Sequence, residues 1–129
     1  MKKEKILLIA GCSHAAGSEI DGDEDSQYNR DHSYGALVAK QLKRKPVSIA
    51  QVGATNTGIS RQVMQWFHNC YNPDTMNVNV LVSWTEPTRL EVPSEKERNY
   101  QSASHATAWY EKGSDYFYNC LLYTSDAAD

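Results

Sequence analysis

Ile6-Leu7-Leu8-Ile9-Ala10-Gly11-Cys12-Ser13-His14-Ala15-Ala16-Gly17 is the stretch on which the fold of this chain turns. Its first half is an unbroken aliphatic run, closed by Gly11, which predicts a β-strand buried on both faces, as strands of a parallel sheet are. Its second half is built of small residues and predicts a tight turn that presents Ser13. A nucleophilic serine is best held on such a turn directly after a central strand. There its hydroxyl is exposed, its own N–H can face a developing oxyanion, and neighbours such as Gly11, Ala15 and Gly17 allow close substrate approach. A glycine-rich turn that needs small residues only for packing would read the same way.

Outward from that stretch, the polar and acidic segment from Gly17 to Asp31, with Asp21, Asp23, Glu24 and Asp25, lacks periodicity and reads as a long surface loop. Ser33 can cap a helix in which Tyr34, Leu37, Val38, Gln41 and Leu42 recur at helical spacing, with Pro46 as its stop. Val47, Ile49 and Val52 suggest a short second strand closing at Gly53. Thr55 or Asn56 can cap a second helix with Ile59, Val63, Trp66, Phe67 and Cys70 on one face, before the turn Asn72-Pro73-Asp74. Val78, Val80, Leu81, Val82 and Trp84 make a third strand ended by Pro87. From about Glu95 to Asn119 the pattern is mixed, with Trp109, Tyr110, Tyr116 and Phe117 assigned to a helix. Strand and helix alternate with connections of crossover length, which predicts a three-layer α/β/α sandwich around a flavodoxin-like parallel sheet. Ser13, Gly53 and Thr85 would all fall at the carboxyl edge of that sheet, where ligands bind in such folds.

Composition narrows the function classes. A chain of 129 residues with a hydrophobic fraction of 40% is long enough for one core. Its net charge of -3, with no Lys/Arg cluster interleaved with aromatics, argues against nucleic acid as a partner. Cys12, Cys70 and Cys120 show no CxxC spacing, which favours a reducing, cytoplasmic setting. His14, His32, His68 and His105 lie far apart in no metal-binding pattern, so neither a metal nor another cofactor is expected. Asp21, Asp23 and Asp25 alternate like the start of a calcium loop, but Ser26 and His32 stand where glycine and glutamate are needed. Ile9-Ala10-Gly11-Cys12 looks like a lipoprotein cleavage box. Its apolar run is shorter than the roughly 7–15 residues of a leader, and Glu4 interrupts the basic start, so lipidation is not expected. No stretch approaches the ~20 apolar residues of a membrane span.

Gly11-Cys12-Ser13-His14-Ala15-Ala16-Gly17 resembles the first block of the SGNH (GDSL-like) hydrolase superfamily, with Cys12 where the usual motif has Asp. Ser48-Ile49-Ala50-Gln51-Val52-Gly53-Ala54-Thr55-Asn56 is similar to the second block, whose glycine offers a backbone N–H to the oxyanion; Gly53 matches it. Gly53 would also serve as a plain strand-to-helix glycine beside an Asn56 cap. The third block, Gly-x-Asn-Asp, is replaced by Val82-Ser83-Trp84-Thr85-Glu86-Pro87-Thr88-Arg89-Leu90-Glu91, so the usual asparagine is missing. Thr85 and Asn56 are the candidate substitutes as oxyanion donors. A Glu86–Arg89 ion pair is expected to neutralise the glutamate, whether the segment is a site or a surface loop. The fourth block, Asp-x-x-His, is absent; His105 has no Asp three residues before it, and His14, as Ser13's neighbour on a turn, is expected to point away.

The acidic loop and the Trp84-to-Arg89 segment look most like a subgroup of SGNH-like proteins carried by tailed bacteriophages, from about Ile6 to Glu91. This resemblance implies a metal-free serine hydrolase of acyl or acetyl esters, often on carbohydrates, with a small-molecule or glycan ester as partner. The alternative is a non-catalytic phage structural or glycan-binding module. The last ten residues, Cys120-Leu-Leu-Tyr-Thr-Ser-Asp-Ala-Ala-Asp129, resemble a sequencing-library adapter translated in one frame. Residues 1–119 are therefore expected to be the amino-terminal part of the domain, and 120–129 a non-native tail. Such a fragment is expected to be poorly soluble and, without its base, inactive.

Overall fold

The aliphatic run becomes the middle of a parallel sheet. In a computed structural model, which describes residues 2–22, 26–87, 89–93 and 100–103, β1 (Glu4–Gly11) lies between β2 (Lys45–Ser48) and β3 (Met76–Ser83). Both pairings are parallel and the order is β2-β1-β3. Because side chains alternate along a strand, a middle strand feeds two cores. Leu7 and Ile9 enter one with Ala15, Ala16, Ala39 and Ala50, while Ala10 joins Cys12, Ala54 and Ile59 in the other. The first core is covered by α3 (Tyr34–Gln41) and the second by α4 (Asn56–Cys70). Helices therefore lie on both faces, in the α/β arrangement expected of alternating strands and helices.

Close packing depends on glycine at one helix position. A Cβ on Gly35 would lie 2.7 Å from a side-chain carbon of Ile9, so α3 rests on β1 at a distance no larger residue permits. On the opposite face, Thr55 caps α4 by accepting the Gly58 N–H at 3.0 Å. Ile59 is then fully buried, Val63, Trp66 and Phe67 are half-buried, and Cys70 is exposed.

Four local expectations need correction. The segment taken for a continuous loop contains α2 (Gln27–His32), whose first turn is capped by Ser26 Oγ accepting from Asn29 N–H at 3.1 Å. Arg30 anchors this helix by donating to Ala50 O at 2.8 Å, an anchor 20 residues distant that no local pattern announces. Pro46 does not stop the preceding helix. Instead α3 ends at Gln41, Lys43 turns the chain with φ of 52°, and Pro46 sits inside β2, opposite Leu7. Among the described strands β2 pairs only with β1, and an outer strand tolerates a residue without an N–H. The second strand starts earlier than Val47 and ends at Ser48, although Ile49 and Gln51 still donate to Ile9 O (2.8 Å) and Gly11 O (3.0 Å). Finally, β4 (Leu90–Pro93) and β5 (Tyr100–Ala103) form an antiparallel pair in a stretch that shows no strand pattern.

The helix read around Trp109, Tyr110, Tyr116 and Phe117 lies outside the described residues, as do His105, the tail 120–129, and Asp23, Glu24 and Asp25 of the acidic loop. The apolar run of the cleavage-box reading is the buried centre of β1, and removing it would take away the strand with which both neighbours pair. No helix among the described residues is long and apolar enough to cross a membrane.

Candidate functional site

β1 delivers the chain directly into the turn. Gly11 faces Ser83 across the sheet, and a Cβ there would lie 2.6 Å from Ala15 and 3.0 Å from Ser83, so only glycine lets the turn fold back over the strand end. Cys12 is extended (φ −92°, ψ −158°) and buried, and Ser13 follows as the first residue of α1 (Ser13–Ala16). Gly17 ends α1 in the left-handed region at φ 79°, where a Cβ would also meet Asn29 O at 2.5 Å. Ser18 returns its N–H and its hydroxyl to Ser13 O, both at 3.1 Å. The backbone at Ser13 is thus fixed from both sides. Ser13 itself is half-buried and His14 is exposed. A cavity of about 200 Å³ opens on the His14 side of the turn, lined also by Ser18, Ile20 and Tyr34.

The three strands bring the other candidate residues to this same edge. The chain beyond β2 stays beside β1 as far as Gln51, then turns through Gly53 at φ 75°, the turn's hydrogen bond running from Ala54 N to Gln51 O at 3.1 Å. Gly53 is therefore at the carboxyl edge, in a backbone conformation that favours glycine, and its own N–H is not the donor that closes the turn. Asn56 and Thr85 meet directly. Asn56 Nδ2 donates to Thr85 O at 3.1 Å, and Thr85 N–H donates to Asn56 Oδ1 at 2.8 Å. One Nδ2 hydrogen is committed to this pair and the second is left over.

Cys12 is the electrostatic centre of the arrangement. Burial pushes its thiol up, but hydrogen bonds from His14 N–H and from the Thr85 and Ser13 side chains, together with the positive charge of Arg89, outweigh that and hold it below the ordinary thiol range. At only 3% exposure it is placed to accept hydrogens rather than to meet a substrate.

Glu86 and Arg89 do not form the expected ion pair. They share a backbone bond, Arg89 N–H to Glu86 O at 3.2 Å, and the ion pair seen among the described residues is Lys45–Glu4 at 3.0 Å. Glu86 is exposed, so water solvates its charge and no cation is needed beside it. Arg89 Nη1 is sealed from solvent without a hydrogen-bond acceptor.

No described histidine completes the site. His32 Nδ1 lies 2.8 Å from Tyr28 O and its ring stacks on Tyr28, while His68 occupies the last turn of α4. The residues that sequence alone undervalues are Cys12, read chiefly as a departure from a motif, and Arg89, read as a partner for Glu86. The position of Cys12 beside a nucleophile turn was the signal for the first. No local signal points to the second, because its charge acts on Cys12, a residue far from it in the chain.

No protein-family model matches the chain, and no curated protein or solved structure matches it significantly.

Proposed function

We propose that this chain carries the nucleophile portion of an SGNH-type serine hydrolase acting on acyl or acetyl esters, with esters of carbohydrates as the natural class. The observation that carries the reading is Ser13, held half-buried on a backbone-fixed turn at the carboxyl end of the middle strand. Gly53, Asn56 and Thr85 stand at that same edge, as an oxyanion-binding site requires.

In this mechanism Ser13 Oγ attacks the ester carbonyl and gives its proton to a general base, while the carbonyl oxygen becomes an oxyanion. The N–H groups of Ser13 and Gly53 receive that charge, with the spare Asn56 Nδ2 hydrogen as a further donor, while the Thr85 hydroxyl is turned to the Cys12 sulfur. The base returns its proton to the departing alcohol oxygen, leaving an acyl-Ser13 that water cleaves to the free acid. In this reading the base comes from an Asp-x-x-His, a pattern that residues 1–129 do not contain.

The test is hydrolysis of p-nitrophenyl acetate by the full-length gene product. Ser13→Ala should lower kcat/KM on the order of 10⁴-fold. Full activity in that variant would sink the proposal. A binding module would instead show saturable glycan retention without turnover, equal in both proteins.

A further inference from the structure

We infer that the cavity between the Ser13 turn and the start of α3 seats a single neutral sugar ring, the alcohol half of the ester, with Tyr34 as the residue that selects it. The inference rests on the ester-hydrolase reading only in placing that ring beyond the scissile oxygen. Three observations carry it. The cavity, of about 200 Å³, is lined on one side by His14, Ser18, Glu19 and Ile20 and on the other by Ser33 and Tyr34. It adjoins the nucleophile position, since His14 follows Ser13 in the chain and Ser18 returns both its N–H and its hydroxyl to Ser13 O. Both walls are fixed by bonds of their own: Ile20 N–H donates to Gly17 O at 3.1 Å, and Ser33 Oγ accepts from Ala36 N–H at 3.4 Å while donating to Arg30 O at 2.9 Å.

The groups left over define the ligand. Ser18 and Ser33 spend their hydroxyl hydrogens inside the protein, whereas the side chains of His14, Glu19 and Tyr34 have no hydrogen-bond partner among the described residues. A carboxylate accepts from hydroxyls, an imidazole can donate or accept, and a phenol does both. Beside them Ile20 and Tyr34 are 46% and 41% exposed and offer apolar surface. A pyranose matches this set, with C–H faces that lie on an aromatic ring and hydroxyls around its edge. An acyl chain would leave His14 and Glu19 unused, and an anion would meet the Glu19 carboxylate. The volume is below the roughly 300–1,000 Å³ of sites for drug-sized ligands, so one ring enters and not a chain of them.

The experiment uses the present chain and the methyl pyranosides of glucose, galactose, mannose and N-acetylglucosamine as probes, with cyclohexanol and methyl glucuronide as apolar and charged controls. Affinity is read by saturation-transfer NMR. At least one neutral pyranoside should bind more tightly than both controls. Tyr34→Ala should weaken that binding about fivefold or more, Tyr34→Phe should retain most of it, and Ser13→Ala should leave it unchanged. If Tyr34→Ala does not fold, Glu19→Ala decides the matter at an exposed position, with an expected loss of about threefold or more. No pyranoside bound by folded wild type, equal binding of either control, or affinity indifferent to these substitutions overturns the inference. Failure of the ester reading is distinguishable: sugar binding would still depend on Tyr34 while Ser13→Ala left hydrolysis by the full-length protein intact.

Discussion

Asn56 and Thr85, 29 residues apart, exchange two hydrogen bonds that join the first turn of α4 to the end of β3. The side-chain amide of Asn56 reproduces, in both directions, the pairing that another strand would offer to Thr85. It thereby holds the β3 exit against the Ser13 turn. Asn56→Ala should remove both bonds and cost about 2 kcal/mol, measured by urea unfolding. Asn56→Asp keeps the acceptor for Thr85 N–H and loses the donor, so its cost should be smaller.

Gly17 is required by both conformation and space. Gly17→Ala combines a left-handed backbone with a Cβ 2.5 Å from Asn29 O, and should lower stability by about 1–3 kcal/mol. Gly22→Ala is the matched control, since a Cβ there meets nothing within 4 Å. Equal melting temperatures for the two variants would show that the turn is looser than described.

Gly35→Ala tests the seat of α3 on the sheet. The added methyl would meet Ile9 at 2.7 Å, and relief requires the helix or the core strand to move. The expected cost is about 1–3 kcal/mol, seen as a lower thermal midpoint.

Cys12 gives the chain a defined pH dependence. Its thiol is held below the ordinary range when folded, so between the folded and unfolded values the unfolded chain binds more protons. Stability should therefore rise with pH across that interval, and the gain should vanish as pH falls through the folded value. In a background with Cys70 and Cys120 changed to serine, urea unfolding across that range should show this slope, and Cys12→Ser should flatten it. Thr85→Val should move the thiolate absorbance transition upward by removing a donor. An unchanged transition would mean that Thr85 does not reach the sulfur.

How much of this was legible in the sequence depended on the range of the interactions. The run Ile6–Ala10 announced its strand because burial on both faces demands continuous apolar residues, and Thr55 announced a helix start through its own hydroxyl. Alternation of such segments was enough to predict the α/β class. Pro46 misled because proline is barred from helix interiors and inner strands alike, and only the sheet order reveals that β2 is outermost among the described strands. α2 escaped notice because six residues carry little periodicity and its anchor, Arg30 on Ala50, is tertiary. At the site, Ser13 and Gly53 were readable from small residues at strand ends. The pairing of Asn56 with the Thr85 backbone arises only when β3 and α4 are assembled.

Whether Ser13 is the nucleophile is decided by covalent labelling of the full-length gene product with a fluorophosphonate, mapped by peptide mass spectrometry. One adduct is expected, on Ser13, abolished in Ser13→Ala and retained in Cys12→Ser. No adduct on a folded protein, or an adduct that persists in Ser13→Ala, would contradict that assignment.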